Sequence, residues 1–167
     1  MKKLFILLIL LPMMVKAQVV GHVCGVKFGT SYGNAFFKLQ QVYHGDATFY
    51  KEDCIYYSSK TFEGIVFDGL MFKFITKDHQ KLFDGADFSV SYSEESKALE
   101  TRRKLIESLG KTFKIEKVTT PEGYIEYCGG ISPLNRVEYG FRIYISWANI
   151  EYPYTVHLEF GPYGFEK

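Results

Sequence analysis

Residues 138–163, EYGFRIYISWANIEYPYTVHLEFGPY, decide how the rest of the chain is read. The first half sets Tyr139, Phe141, Ile143, Ile145 and Trp147 against Gly140, Arg142, Tyr144 and Ser146, the two-residue period of a strand with one buried face. The second half repeats the alternation, with Tyr154, Val156, Leu158 and Phe160 on one side and Thr155, His157 and Glu159 on the other. Residues 148–151 can turn, and Pro153 falls at a strand start, where its missing N–H is tolerated. The pattern predicts a long antiparallel hairpin whose apolar face needs a helix over it. Its other face would present Arg142, Tyr144, His157 and Glu159 together. Arg and Tyr are frequent at protein-binding hot spots, which makes these four the candidate partner-binding residues.

Upstream, the apolar positions Ala35, Phe36, Leu39, Val42 and Tyr43 fall on one face of a helix that starts after Thr30-Ser31 and stops near Gly45. A short strand over residues 23–28 precedes it. Short strands follow at 48–50 and 55–58, then two apolar runs, 62–67 and 70–75, flanking Asp68-Gly69, a strong hairpin signal because a tight turn needs positive φ at both positions. Polar residues 77–85 read as a connection between halves. The plan then begins again: a strand at 87–91, and a helix at 94–109 behind Ser93 with Ala98, Leu99, Leu105, Ile106 and Leu109 inward. Glu100 and Lys104 form an i, i+4 pair on it. Strands at 112–118 and 124–128 join through Pro121-Glu122-Gly123, and a Gly/Pro/Asn loop leads into the final hairpin. The expectation is an α+β fold of two helix-on-antiparallel-sheet repeats, each reading strand, helix, four strands, over residues 18–84 and 85–167.

Residues 1–17 have the form of an export signal: Lys2 and Lys3, an apolar core from 4 to 15, and small residues at Val15 and Ala17 before Gln18. That core, about twelve residues, is shorter than the roughly twenty that span a bilayer. The signal's style, with Gln after the cut, resembles those of Bacteroidetes, and a periplasmic or secreted location is expected, with membrane contact only through the signal before cleavage. Three of the 20 Lys and Arg lie in this segment, so the remainder carries 17 basic against 19 acidic side chains, with no basic tract to suggest nucleic acid as a partner.

Cys24, Cys54 and Cys128 make an odd count for an oxidising compartment. A Cys24–Cys54 bridge within the first half is one arrangement; three buried free thiols is the other. His22, His44, His79 and His157 are scattered without metal-site spacing, and no motif calls for a cofactor. Cys128 and His157, both placed in the last sheet, are the sole pair that nucleophilic catalysis could use.

Residues 28–35, FGTSYGNA, with Gly45 after the helix, resemble the opening of the repeats in the β-lactamase inhibitor protein family, a unit shared with small outer-membrane lipoproteins that assist barrel assembly. Gly29-Thr30-Ser31 and Ala35 are the matching positions. In the second half Ser91 and Ser93 stand at the expected Gly and Thr. The resemblance implies tandem helix-on-sheet units that bind an enzyme through a sheet surface and a projecting hairpin, which makes Asp68, at the expected tip, a further contact residue. The whole suggests an exported, non-catalytic protein-binding module, an inhibitor or accessory subunit with a protein partner in the cell envelope or outside the cell. A carbohydrate-binding protein stacking sugars on Tyr and Trp147, and a thiol-dependent enzyme, are the alternatives.

Overall fold

The computed structural model describes residues 18–51, 53–134, 138–147 and 151–164. The export signal expected at 1–17 and most of the turn expected at 148–151 lie outside the described residues. Helix α1 (Tyr32–Tyr43) follows a small hairpin of β1 (His22–Val23) and β2 (Val26–Lys27), which turns on Cys24 and Gly25 at φ +49° and +73°. Then come β3 (Phe49–Lys51), β4 (Cys54–Phe62), β5 (Ile65–Lys77) and β6 (Gln80–Tyr92). Helix α2 (Glu95–Leu109) leads to β7 (Ile115–Thr119), β8 (Ile125–Ile131), β9 (Tyr139–Trp147) and β10 (Tyr154–Phe160). The last eight strands form one antiparallel sheet in the order β3-β4-β5-β6-β10-β9-β8-β7, so the fold is α+β. Among the described residues no helix is long and apolar enough to cross a membrane.

Both helices lie on one face of this sheet. From α1, Tyr43 packs on Tyr57 and Phe72, and Tyr32 on Phe74. From α2, Arg102 lies over the Tyr127 ring, and Thr101 Oγ1 is 2.8 Å from Tyr92 Oη. Helix α1 buries Ala35 and Leu39, four apart on one stripe, and ends where His44 enters the left-handed region and its N–H reaches the Gln40 carbonyl. Val42, expected inward, is exposed because the inward stripe runs through Ala35, Leu39 and Tyr43, four apart, and Val42 falls off it. Helix α2 buries Ala98, Thr101, Leu105 and Leu109, while Leu99 faces out. Its exposed face carries the expected Glu100–Lys104 ion pair (2.8 Å) and a second, Glu107–Arg103 (2.6 Å).

A single core cluster runs under both helices. Phe88, on the central strand β6, is its hub, with ring centres 5.0–6.0 Å from those of Phe62, Phe67, Phe72 and Phe160. Burying each such ring contributes about 1.5–3 kcal/mol. The expected hairpin is present: β9 and β10 pair Ile143 with Leu158 and Ile145 with Val156, and Phe141, Ile143, Val156, Leu158 and Phe160 are buried as the alternation requires.

Three expectations drawn from polar and glycine punctuation are corrected. Asp68-Gly69 is not a turn but lies inside β5; the turn falls at Glu63-Gly64, with φ +49° and +75°. Strand β5 instead kinks there, so that Phe67 and Leu70, three apart, both face the core, opposite Ser59 at φ +53°. Gly69 is needed because a Cβ would stand 2.7 Å from the Tyr56 hydroxyl lying across it. Likewise Gly129-Gly130 continues β8 rather than leaving it, and a Cβ on Gly129 would stand 2.6 Å from the Phe141 ring. Finally, 77–85 is no connector between units. Asp78 and His79 turn at φ +48° and +63°, and the division expected between 84 and 85 falls inside β6.

At that point β6 bulges, Phe74 pairing with Phe83 and Lys73 with Gly85. The extra residue, Asp84, is buried, and its carboxylate accepts the backbone N–H groups of Tyr163 (3.2 Å) and Gly164 (2.8 Å). The C-terminal segment is thereby tied to the middle of the sheet.

Candidate functional site

The sheet face opposite the helices is polar at its centre because strand alternation sends every second residue there and the central strands supply charged ones. Cross-strand pairing puts Met71, Asp87, Glu159, Arg142 and Cys128 in one row, from β5 to β8. A second row holds Gly69, Ser89, His157 and Tyr144. The four residues expected from the terminal hairpin therefore converge.

Glu159 is the anchor. It is 7% exposed, and its Oε2 accepts from Arg142 Nε (2.7 Å) and Nη2 (2.6 Å), a two-pronged contact that fixes the guanidinium. Its Oε1 lies 3.6 Å from Lys73 Nζ, which also stands 3.9 Å from Asp87. Arg142 Nη1 is 3.7 Å from Glu126, and the guanidinium carbon lies 5.3 Å from the centre of the Tyr144 ring. Tyr144 in turn stacks on His157, centres 4.7 Å apart and planes 11° from parallel. Burial, then the negative charges of Glu159 and Asp87, push the Tyr144 phenol up to about 12, so it stays a neutral hydrogen-bond donor.

His157 is held from both ring nitrogens. Nδ1 lies 3.3 Å from Asp87 Oδ1, and Nε2 lies 2.9 Å from Ser146 Oγ. With Nδ1–H donating to Asp87, Nε2 accepts from the Ser146 hydroxyl. The connectivity is that of an acyl-transfer relay, which further needs donors aimed at one oxyanion position. Ser146 sits in mid-strand between Ile145 and Trp147, in a ladder with Thr155, and the line serves to order the face.

Cys128 does not meet His157. Strand β9 separates them, and an offset of two residues puts them roughly 12 Å apart by sheet spacing. Its Sγ instead lies 4.0 Å from Glu126. Burial, then Glu126, push the thiol up to about 11, which keeps it protonated and unreactive at neutral pH. A cavity of about 240 Å³ adjoins this end of the network, bordered by Cys128, Arg142, Glu159 and Pro162.

The other expected residues lie elsewhere. Asp68 sits in mid-strand rather than at a tip, and its Oδ2 accepts the Ser91 backbone N–H (2.8 Å) at the end of the β5–β6 pairing. Cys24 and Cys54 are not joined, and all three cysteines are free thiols. Cys24 Sγ lies 2.9 Å from Tyr43 Oη, and burial pushes its thiol up to about 12. Trp147 pairs with Tyr154, ring centres 4.9 Å apart, and borders a cavity of about 370 Å³ together with Tyr124 and Tyr144. Ser146, on the outward side of the hairpin pattern, joins the network, as do Lys73, Asp87 and Glu126, which carry no local sequence signal. Only the strand order brings these last three beside the hairpin.

Comparison with known protein families, curated proteins and solved structures returns no match.

Proposed function

We propose that the chain is an exported, non-catalytic protein-binding module that docks a partner of the cell envelope or the medium on the polar face of its sheet. The observation that carries this is the convergence of Arg142, Tyr144, His157 and Glu159 on the face opposite both helices, held by ion pairs and stacking. Side chains already fixed in place lose little freedom on association, which is where exposed surfaces usually forfeit affinity. Arg and Tyr are the residue types that dominate binding hot spots.

The order of elements supports two equivalent units in the manner of the β-lactamase inhibitor fold. A helix precedes four consecutive strands twice, α1 before β3–β6 and α2 before β7–β10, and the last strands of each set, β6 and β10, meet at the centre. One element of that analogy is altered. The β4–β5 tip turns back on the molecule, with Ser108 Oγ of α2 donating to the Glu63 carboxylate, so contact falls to the sheet face rather than to a projecting hairpin. Export, and with it a periplasmic or secreted location, rests on the charged and apolar pattern of residues 1–17.

The test uses residues 18–167 with a photo-crosslinker at position 144 and, as control, at position 37 on the outer surface of α1. A partner captured from 144 and not from 37, whose affinity drops at least about tenfold in Arg142→Ala/Tyr144→Ala, supports the proposal. Equal capture from both positions, or unchanged affinity in the double variant, rejects it. Retention of the tagged full chain in the cytoplasm would reject export.

A further inference from the structure

A cavity of about 770 Å³ lies away from the polar face, where the start of α1, strand β3 and the β5–β6 turn come together. Its apolar surfaces are Tyr32 and Tyr50. Tyr50 is 63% exposed and braced edge-on by Phe36, ring centres 5.6 Å apart at 73°. Tyr32 is backed by Phe74, centres 4.8 Å apart. Two rings held from behind, each with area left to cover, are stacking platforms for the C–H face of a ring-shaped ligand. Gly33 leaves the approach open, since a Cβ there would meet nothing within 4 Å.

The polar lining is unusual in what it offers. Lys51 from β3, and His79 and Lys81 at the β5–β6 turn, supply cationic or N–H groups, Gln80 adds an amide, and Ser31 a hydroxyl that is not used to cap α1. The Lys51 ammonium rests 5.2 Å from the centre of the Phe49 ring, which holds it at the rim. Burial, then the neighbouring Cys54, Tyr50 and Asp53, raise the Tyr32 phenol, which keeps it a donor. None of the described lining residues is a carboxylate. With two lysines and no carboxylate among its described residues, the lining favours a ligand that carries negative charge.

We propose that this cleft binds an acidic saccharide, a sugar ring carrying carboxylate or sulfate groups, with its ring face on Tyr50 and Tyr32 and its anionic group toward Lys51 and Lys81. The volume takes one or two sugar rings. The site is independent of the protein-binding face, and the molecule would hold a glycan at one end of the sheet and a protein partner at its middle.

The experiment titrates residues 18–167 with digalacturonate, its neutral counterpart digalactose, inorganic sulfate and adenosine monophosphate, read by calorimetry and by amide shifts. Saturable digalacturonate binding that shifts the amides of residues 32, 33, 50 and 81 is the expected result, with digalactose at least about tenfold weaker. Tyr50→Ala, at an exposed position, should weaken it by about tenfold, and Lys51→Glu/Lys81→Glu by more, whereas Arg142→Ala should leave it unchanged. Equal binding of digalactose, equal binding of sulfate alone, tighter binding of the nucleotide, or no saturable binding of digalacturonate each overturns the proposal. A loss of protein-partner binding in Arg142→Ala with digalacturonate binding intact separates the two sites.

Discussion

The two faces of the eight-stranded sheet are made by the same strands and held by different physics. Under the helices Phe72, Phe88, Ile143 and Leu158 are fully buried and interlock by shape. On the other side Lys73, Asp87, Glu159, Arg142, Tyr144 and His157 hold one another by direction, through ion pairs, hydrogen bonds and a stacked ring pair. The first face supplies stability through area removed from water, which is insensitive to orientation. The second supplies little net stability, because each charge is stripped of water to make its contact, but it fixes where each group points. A single alternating strand thus carries the molecule's cohesion on one set of residues and its specificity on the other.

That contrast can be broken most sharply at Phe88. Phe88→Ala removes the ring that touches four others and should cost about 3–5 kcal/mol in urea unfolding. A loss below about 1 kcal/mol would mean that the core repacks freely and shape does not govern it. Glu159→Gln strikes the corresponding position of the polar face. It leaves Arg142 and Lys73 without their shared carboxylate and should cost about 1–3 kcal/mol, part of it recovered in Glu159→Gln/Arg142→Ala. Strict additivity of the two changes would show that the pair is not coupled.

Alkaline titration sharpens the comparison next. The Cys128 thiol is raised from 9.0 to about 11 on folding, so the native state favours its protonated form. That contribution is complete below pH 9 and is lost as pH rises from 9 to 11, with Tyr144, raised from 10.0 to about 12, adding to the loss at the upper end. Unfolding free energy should therefore fall across pH 9–11, and fall less steeply in Cys128→Ala. Identical slopes in the two proteins would remove the thiol from the account. The smallest effect is expected where neither kind of physics is engaged: Glu100→Ala, on the exposed face of α2, should leave the urea midpoint essentially unchanged.

How much of this could be read beforehand divides along the same line. Alternation alone revealed the β9–β10 hairpin and which side of it is buried, because period two is a property of adjacent residues. The 3.6-residue stripe did the same for Ala35 and Leu39 on α1 and for Ala98, Leu105 and Leu109 on α2. Glycine misleads where it serves packing. Gly69 and Gly129 are present because Tyr56 and Phe141 lie against them, and the aromatic responsible is distant in sequence. Conversely the turn at Asp78-His79 has no glycine, and its polar surroundings passed for a linker. Four members of the polar network were visible on the hairpin. Lys73, Asp87 and Glu126 were not, because their place beside Arg142 and Glu159 follows from the order of strands, which no local pattern encodes.

The line along which β6 meets β10 has one more consequence. Lys73 and Asp87 arrive from the earlier part of the chain, and Arg142, His157 and Glu159 from the last thirty or so residues, about seventy positions later. No fragment ending before β10 can assemble that arrangement of charges, however well its own helix and strands form. A ligand that recognises it would distinguish chains that extend through β10 from shorter ones, so the same contacts that define the surface would also report that the chain bearing it has reached that strand.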